Sequence, residues 1–209
     1  MTGPAKLKER KDKIAKAAGR LFARQGYHGT STHEIARLAG IAENTLFRNF
    51  DSKENLFWAS LRLNLAGWSP RADLLEVLDA NADPEVVLPR FVAQVVDTTL
   101  LNPELLRLMV VAFLERRSKA TEICRESLSP FLVAVNRYLA VHIEQSKLKK
   151  GLDPALITGA IVTMAWMHPV FMEFIDGARA PSSIQRDTTR ALSKFWIEVL
   201  APPRGIAQP

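Results

Sequence analysis

Residues 43–49 concentrate side chains that could recognise a polar partner. Glu43, Asn44, Thr45 and Arg48 together offer several hydrogen-bond donors and acceptors. Asn and Arg can each form paired hydrogen bonds to the edge of one base, and Glu can accept from the amino group of cytosine. These residue types therefore indicate contact with bases. Two interpretations without a function compete with this one: the segment could be the ordinary packing of a helical hairpin, or a solvated charged face.

The other residue types that commonly do chemistry form no catalytic arrangement in the sequence. His28, His33, His142 and His168 have no metal-ligand spacing with one another or with Cys124, the single cysteine. No G-x-S-x-G sequence, P-loop or dinucleotide-binding fingerprint occurs. We therefore predict that the protein is not an enzyme, and we expect no cofactor and no metal.

The excess basic charge lies in the first quarter of the chain. Residues 1–53 hold 11 Lys and Arg against 5 Asp and Glu, whereas residues 54–209 hold 17 of each. Solvated faces usually carry both signs, so this segregation is typical of nucleic-acid binding. A polybasic segment for a membrane surface is the competing interpretation.

Composition predicts a globular protein of a reducing compartment. The 209 residues are 47% hydrophobic, and one cysteine allows no internal disulfide, so we expect a cytoplasmic location. The least polar stretch, residues 154–172, is interrupted by Gly159, His168 and Pro169. It lacks flanking basic loops, so we predict a helix buried all round by protein, without membrane insertion.

The elements that position residues 43–49 follow from helical periodicity, which runs along the whole chain. The pattern predicts an all-α fold with about nine or ten helices. A first helix ends at Gly26, and a second opens with the capping box Ser31–Glu34 and ends at Gly40. A third covers residues 42–49. Apolar residues on one face of the third helix would pack inward, which leaves its polar residues exposed.

The order and spacing of these residues resemble the TetR family of bacterial regulators. The likeness rests on A-x-x-L-F-x-x-x-G-Y from Ala18, T-S-T-x-x-I-A-x-x-A-G-I from Thr30, and T-L-F-x-x-F-x-S-K-E-x-L from Thr45. The resemblance implies a helix-turn-helix DNA-binding domain in residues 1–53. It also implies a helical ligand-binding and dimerisation domain in residues 54–209.

The resemblance also implies which residues contact DNA. They lie at the start of the second helix, along the third, and at the start of the fourth: Ser31, Thr32, His33, Glu43, Asn44, Thr45, Phe47, Arg48, Asn49 and Lys53. The chain departs from the family pattern in three places. Phe47 replaces the usual tyrosine, Asn44 a small residue, and Ala42 a serine cap. These departures bear on which operator is bound.

A ligand pocket is predicted in the later part of the chain. Aromatic and sulfur-bearing residues with a few polar neighbours are typical of such pockets, although each could simply fill the core. The candidates are Trp68, Phe91, Thr98, Met109, Phe113, Asn136, Trp166 and Met167. Thr99 and His168 are further polar anchors. Arg107 either pairs with Glu104 or, as a buried arginine, awaits an anionic ligand.

The predicted function is transcriptional repression through a pseudo-palindromic operator in double-stranded DNA. A homodimer would form through the helices that start at Pro154 and Ser182, and a small, largely apolar effector would release the DNA. An activator, or a repressor without a small effector, is the first alternative. A helical ligand-binding or enzymatic protein with a vestigial N-terminal module is the alternative from another class.

Overall fold

The computed structural model describes residues 3–176 and 182–203. The described part of the chain is helical, with no strand, as the periodicity predicts. Its ten helices are α1 Gly3–Gly29, α2 Thr32–Ala39, α3 Glu43–Asn49, α4 Lys53–Ala66, α5 Ala72–Asp79, α6 Pro84–Leu101, α7 Pro103–Glu115, α8 Arg117–Glu144, α9 Pro154–Asp176 and α10 Ser182–Leu200. The predicted all-α fold class is confirmed.

The helices divide into two compact units. Among the described residues, unit 1 consists of residues 3–69 and 103–129, and unit 2 of residues 70–102, 130–176 and 182–203. The division differs from the predicted boundary after residue 53, because α4 packs against α1 and α7 inside unit 1. The assignment of DNA binding to residues 1–53 concerns function, and it stays a prediction.

Unit 1 is built around α1, which contacts α2, α4 and α7. The rings of Phe22 and Phe57 meet edge to face with centroids 5.0 Å apart, and Tyr27 packs against both rings. Gly19 allows the close approach of α1 and α4. A Cβ atom on Gly19 would lie 2.9 Å from the side-chain nitrogen of Asn64. α1, which contributes Phe22 and Tyr27 to this aromatic core, contacts α2, and α2 in turn contacts α3.

In the α2–turn–α3 segment, α2 ends and α3 begins where the sequence predicts. Gly40 adopts φ 68°, a left-handed conformation that favours glycine, and its N–H bonds back to α2. Ile35, Ala36 and Ala39 are buried on α2, and Leu46 is fully buried on α3. Because these apolar residues face inward, the opposite face of α3 is left to solvent.

Unit 2 is formed by α5, α6, α9 and α10 with residues 130–144 of α8. α6 packs against α5, α9 and α10, and α9 also contacts α10. The ring of Phe91 on α6 lies 5.9 Å from that of Phe131, centroid to centroid. Among the described residues, no helix is both long and apolar enough to cross a membrane.

The apolar helix α9 is not buried all round by its own chain, so its complete burial by protein requires a partner chain and stays a prediction. Ile161 and Ala165 are fully buried, but Leu156, Met167 and Phe171 are 69%, 48% and 58% exposed. α10 likewise has both buried and exposed apolar residues. The sequence pattern alone could not separate a helix buried by its own chain from one with an apolar face left exposed.

Candidate nucleic-acid interface

The start of α2 is stabilised by a reciprocal capping box. The Ser31 hydroxyl accepts from the N–H of Glu34 at 3.1 Å, and the Glu34 carboxylate accepts from the N–H and hydroxyl of Ser31 at 3.0 and 2.8 Å. These hydrogen bonds, led by the backbone N–H, lower the pKa of Glu34. The Ser31 hydroxyl is therefore already engaged within its own helix, although the residue is exposed.

Glu43 links the start of α3 to the start of α2. Its carboxylate accepts a hydrogen bond from the hydroxyl of Thr32 and lies 3.8 Å from Nδ1 of His33. A carboxylate in the first turn of α3 is also favoured by the helix dipole. This position gives Glu43 a structural task, holding α2 and α3 in register. Local sequence pattern does not indicate the link, because its partners are 10 and 11 residues away.

The exposed face of α3 carries the residues suited to base contact. Asn44, Phe47 and Arg48 are all exposed, and their spacing of three and four residues puts them on one side of the helix. Thr45 is half-buried beside this face. The sequence-predicted surface of α3 is therefore present, with Asn44 and Arg48 supplying its hydrogen-bonding groups and Phe47 a 43% exposed ring.

Asn49 does not belong to this surface. Only 8% of the residue is exposed, and its side-chain amide donates to the carbonyl of Thr45 at 2.6 Å. A buried side chain that is hydrogen-bonded to the backbone of its own helix is a poor candidate for DNA contact. We therefore withdraw Asn49 from the predicted set of DNA-contacting residues. The hydrogen bond closes one turn of α3, which gives the residue a local structural role.

Lys53 stands at the first position of α4, directly after the cap residue Ser52. The Ser52 hydroxyl accepts from the N–H of Asn55 at 3.0 Å. The ammonium of Lys53 lies 4.6 Å from the ring centroid of Tyr27, within cation–π range. Tyr27 thus restrains the Lys53 side chain at a helix N-terminus, where a phosphate is electrostatically favoured. No motif in the sequence indicates this restraint, because Tyr27 and Lys53 lie on different helices.

Two side-chain contacts connect the ends of α1 and α7 and the start of α4 within unit 1. Nε2 of His28 lies 3.1 Å from the carboxylate of Glu115, and the Arg116 guanidinium lies 3.1 Å from that of Glu54. Burial raises the pKa of Tyr27, and the negative charges of Glu54 and Glu115 raise it further. These contacts tie the helix that carries Lys53 to α7.

The predicted ligand-site residues are distributed over both units. Trp68, Met109 and Phe113 belong to unit 1, whereas Phe91, Thr98, Asn136, Trp166 and Met167 belong to unit 2.

Burial separates these candidates further. Phe91 and Met109 are buried, while Phe113 and Met167 are 40% and 48% exposed. Thr98 hydrogen-bonds to the backbone carbonyl and side-chain amide of Gln94. Whether these residues bind a ligand stays a prediction.

Arg107 and Cys124 are also located by the structure. Arg107 is exposed, so the prediction of a buried arginine awaiting an anion is wrong. Glu104, its predicted partner, instead lies 3.9 Å from Nε of Arg20. Cys124 is buried, and burial raises the pKa of its thiol, which disfavours the reactive thiolate. Among the described residues, no group of three or more His, Cys, Asp or Glu could hold a metal ion.

The same segment of sequence matches a known family. Residues 14–59 fit the model of the bacterial regulatory proteins of the tetR family. Over this segment the chain is similar to the tetR family of bacterial regulatory proteins. The matched residues include α2, α3 and the start of α4, which carry the candidate interface.

Individual relatives show how far the likeness extends. The chain is 40% identical over 58 residues to the HTH-type transcriptional regulator QacR of Staphylococcus aureus, covering 28% of this chain and 31% of QacR. It is 32% identical over 99 residues to the HTH-type transcriptional repressor NicS of Pseudomonas putida, covering 47% and 46%. The sequence match therefore spans about a third to a half of these curated relatives.

One solved structure extends the likeness to nearly the whole chain. It is the transcriptional regulator FadR from Bacillus subtilis in complex with stearoyl-CoA, with a TM-score of 0.67 at 19% identity. The alignment covers 90% of this chain and 98% of FadR. At this identity the comparison shows that the helical fold of the two proteins is similar over most of the chain.

Proposed function

We propose that the protein is a sequence-specific DNA-binding repressor. The observation that carries the proposal is the exposed face of Asn44, Phe47 and Arg48 on α3, together with Lys53 at the first position of α4. Both lie in the segment that holds the entire net charge of +6. In a helix-turn-helix, the second helix enters the major groove and neighbouring N–H and lysine groups meet phosphates. NicS, which matches this segment, is named a repressor.

We further propose that the protein acts as a homodimer formed through α9 and α10. On α9 the exposed apolar residues are Leu156, Met167 and Phe171, and on α10 they are Phe195 and Val199, which are 44% and 43% exposed. Gly159 is exposed between them and would allow close approach of a partner helix.

Not every apolar residue of α9 and α10 belongs to the proposed interface. Ala165 and Leu192 are 0% and 4% exposed and pack inside unit 2. A two-fold bundle of α9 and α10 from both copies would cover the remaining exposed residues.

The effector is proposed to be small and largely apolar. In unit 2, Phe91 and Phe131 supply an aromatic contact, and Trp166 is half-buried on α9. Buried polar atoms supply anchors, since Oδ1 of Asn136 and Nδ1 of His168 make no hydrogen bond with the described residues. The FadR complex supports an acyl ligand, because its fold is similar and its ligand is stearoyl-CoA. Effector binding would favour a conformer with lower DNA affinity.

Selection of bound sequences from random duplex DNA tests the proposed function. We expect enrichment of two inverted half-sites separated by about one helical turn or a multiple of it, because a two-fold dimer presents two copies of α3. Failure to enrich any sequence, with binding equal to that of the starting pool, would contradict sequence-specific recognition.

The effector proposal is tested on the selected operator with stearic acid, the acyl part of the FadR ligand, as the first probe. Wild-type protein should release the operator as the probe is added, whereas Trp166→Ala should retain operator affinity and lose release. Loss of folding together with operator binding would show that Trp166 only fills the core. Leu114→Ala is the control, because Leu114 is an apolar residue that is 81% exposed on α7 and belongs to no predicted site.

A further inference from the structure

The first turns of α1 lie outside the packed part of unit 1. Residues 5–11 are all exposed, and burial of α1 begins only at Ile14 and Ala15. Even Leu7, the one large apolar side chain of this stretch, is 44% exposed. A short helix is marginally stable without tertiary contacts. Residues 5–11 are therefore helical mainly because they continue a helix that is packed further along.

The same seven residues carry a large share of the charge of the chain. Four are basic and one, Glu9, is acidic, which gives a net charge of +3, half of the +6 of the whole chain. We call residues 5–11 the basic segment, and its basic residues are Lys6, Lys8, Arg10 and Lys11. None of the four forms an ion pair with any residue that the structure describes, whereas Arg20, further along α1, lies 3.9 Å from Glu104. The basic segment therefore presents uncompensated positive charge to solvent.

The basic segment is continuous with the candidate nucleic-acid interface. Nζ of Lys11 lies 6.0 Å from the ring centroid of Phe50, the residue that ends α3. Nζ of Lys13 lies 4.0 Å from the place that a Cβ atom on Gly40 would take, at the turn between α2 and α3. α1 therefore passes both the turn and the end of α3. Residues 5–10 continue the helix from that point.

We propose that the basic segment binds the phosphate backbone of the DNA beside the base pairs that α3 reads. The inference rests on the proposed function, and it adds phosphate contacts to the one proposed for Lys53. Lys and Arg at phosphates add affinity and fix the position of the protein without reading sequence. Seven helical residues span about 10 Å, the length of roughly three base pairs, so the segment can follow the backbone over that distance.

An anionic membrane surface is the other polyanion that a basic helix can meet. A helix that lies in a membrane surface buries an apolar face in the lipid, and the basic segment has only Leu7 as a large apolar residue. Its position beside Phe50 and the Gly40 turn also places it at the elements proposed to contact DNA. Charge and position together favour DNA as its partner.

Neutralising two residues of the basic segment tests the proposal. Lys6→Gln/Arg10→Gln removes two charges one turn apart, and glutamine keeps a high helix propensity. We expect the slope of log affinity against log salt to fall by about one for each phosphate no longer neutralised, hence by about two per chain. Affinity for the selected operator and for unrelated duplex should fall by the same factor, and the selected sequence should not change. Lys149→Gln/Lys150→Gln removes the same charge from exposed positions in unit 2 and should leave the slope unchanged.

A cleavage probe locates the basic segment on the DNA while all its charges are retained. Leu7→Cys in the full-length protein can be coupled selectively to an iron–EDTA reagent, because Leu7 is exposed and Cys124 is buried. We expect this protein to cut the DNA backbone beside the selected half-site. The same reagent on Lys150→Cys, at an exposed position of unit 2, should cut no more than free reagent does.

The outcomes separate this inference from the proposed function. It alone is overturned if the wild type selects an operator but Lys6→Gln/Arg10→Gln keeps the wild-type slope, or if the probe on Leu7→Cys cuts no more than its control. It is likewise overturned if the double variant loses only binding to phosphatidylserine vesicles. A wild type that binds no duplex overturns the proposed function as well. If the double variant fails to fold, the cleavage experiment decides.

Discussion

Asn44 illustrates how a single side chain on α3 can determine which DNA sequence is bound. It is exposed, it shares a face with Phe47 and Arg48, and an asparagine amide can bond to both N6 and N7 of adenine. We predict that Asn44→Ala weakens binding to the selected operator by about 1–3 kcal/mol and relaxes preference at one base pair. Repeating the sequence selection with the variant measures this. Asn102→Ala, an exposed asparagine in unit 2, is the control, and an unchanged preference in Asn44→Ala would refute the base-reading role.

Glu43 has a different role from the one that its residue type suggests. Its carboxylate is bound to Thr32 and lies near His33, so its main effect is on the placement of α3 against α2. We predict that Glu43→Ala lowers affinity for all DNA sequences by a similar factor and leaves the preferred sequence unchanged. Glu85→Ala, at the equivalent first turn of α6, controls for loss of one acid. A changed preference at a single C·G pair would instead show that Glu43 reads cytosine.

At the scale of helices, the sequence predicts elements well where the signal is local. The Ser31–Glu34 capping box and the left-handed Gly40 are both found in the structure, because each depends on residues within one turn. Local pattern predicts a start at Ser69-Pro70 for α5, but the helix starts at Ala72. The N–H of Arg71 donates to the side chain of Gln94, 23 residues away. A start fixed by such a distant partner is not visible in local pattern.

Because α3 lacks a side-chain cap, we can predict how adding one changes the stability of the protein. Ala42 occupies the cap position and provides no side-chain hydrogen bond to the first turn. We expect Ala42→Ser to raise the free energy of unfolding by about 1 kcal/mol, within a range of roughly 0.5–2, because serine can accept from a free N–H. Denaturant unfolding measures the change. Ala72→Ser makes the same substitution one position past the cap of α5, where no gain is expected; equal effects would argue against capping.

For the whole molecule, the sequence predicts which residues of the candidate nucleic-acid interface are exposed better than it predicts where the ligand-site candidates lie. Residues 31–53 form short-range structure, so their exposure follows from helical periodicity, with Asn49 as the exception. The ligand-site candidates rest on residue type alone, across more than one hundred positions. Their distribution between two units depends on how the helices pack, which residue type does not show. Composition does not encode which aromatic residues become core.

The exposed apolar residues of α9 and α10 make the proposed homodimer testable. Phe195→Glu would bury a charge in the interface, so we predict that the dimer dissociates to monomer at micromolar concentration in sedimentation experiments. Leu114→Glu is the matched control, since Leu114 is 81% exposed on α7, outside the proposed interface. A wild-type protein that sediments as a monomer, or equal dissociation of both variants, would reject the proposed interface.

The central claim is that residues 1–53 bind DNA through their concentrated positive charge, with Lys53 binding a phosphate. The salt dependence of affinity for the selected operator tests the claim directly, because each neutralised phosphate releases counterions. Lys53→Ala and Lys150→Ala remove the same charge, the first from the candidate interface and the second from the exposed turn before α9.

We predict that wild-type affinity falls by about 10³–10⁵ between 50 and 200 mM salt, as expected for roughly 6–10 neutralised phosphates. Lys53→Ala should reduce the slope of log affinity against log salt by about one for each phosphate that is no longer neutralised, and Lys150→Ala should leave the slope unchanged. A wild-type slope near zero would contradict electrostatic DNA binding by this segment, and equal slopes for wild type and Lys53→Ala would remove Lys53 from the interface.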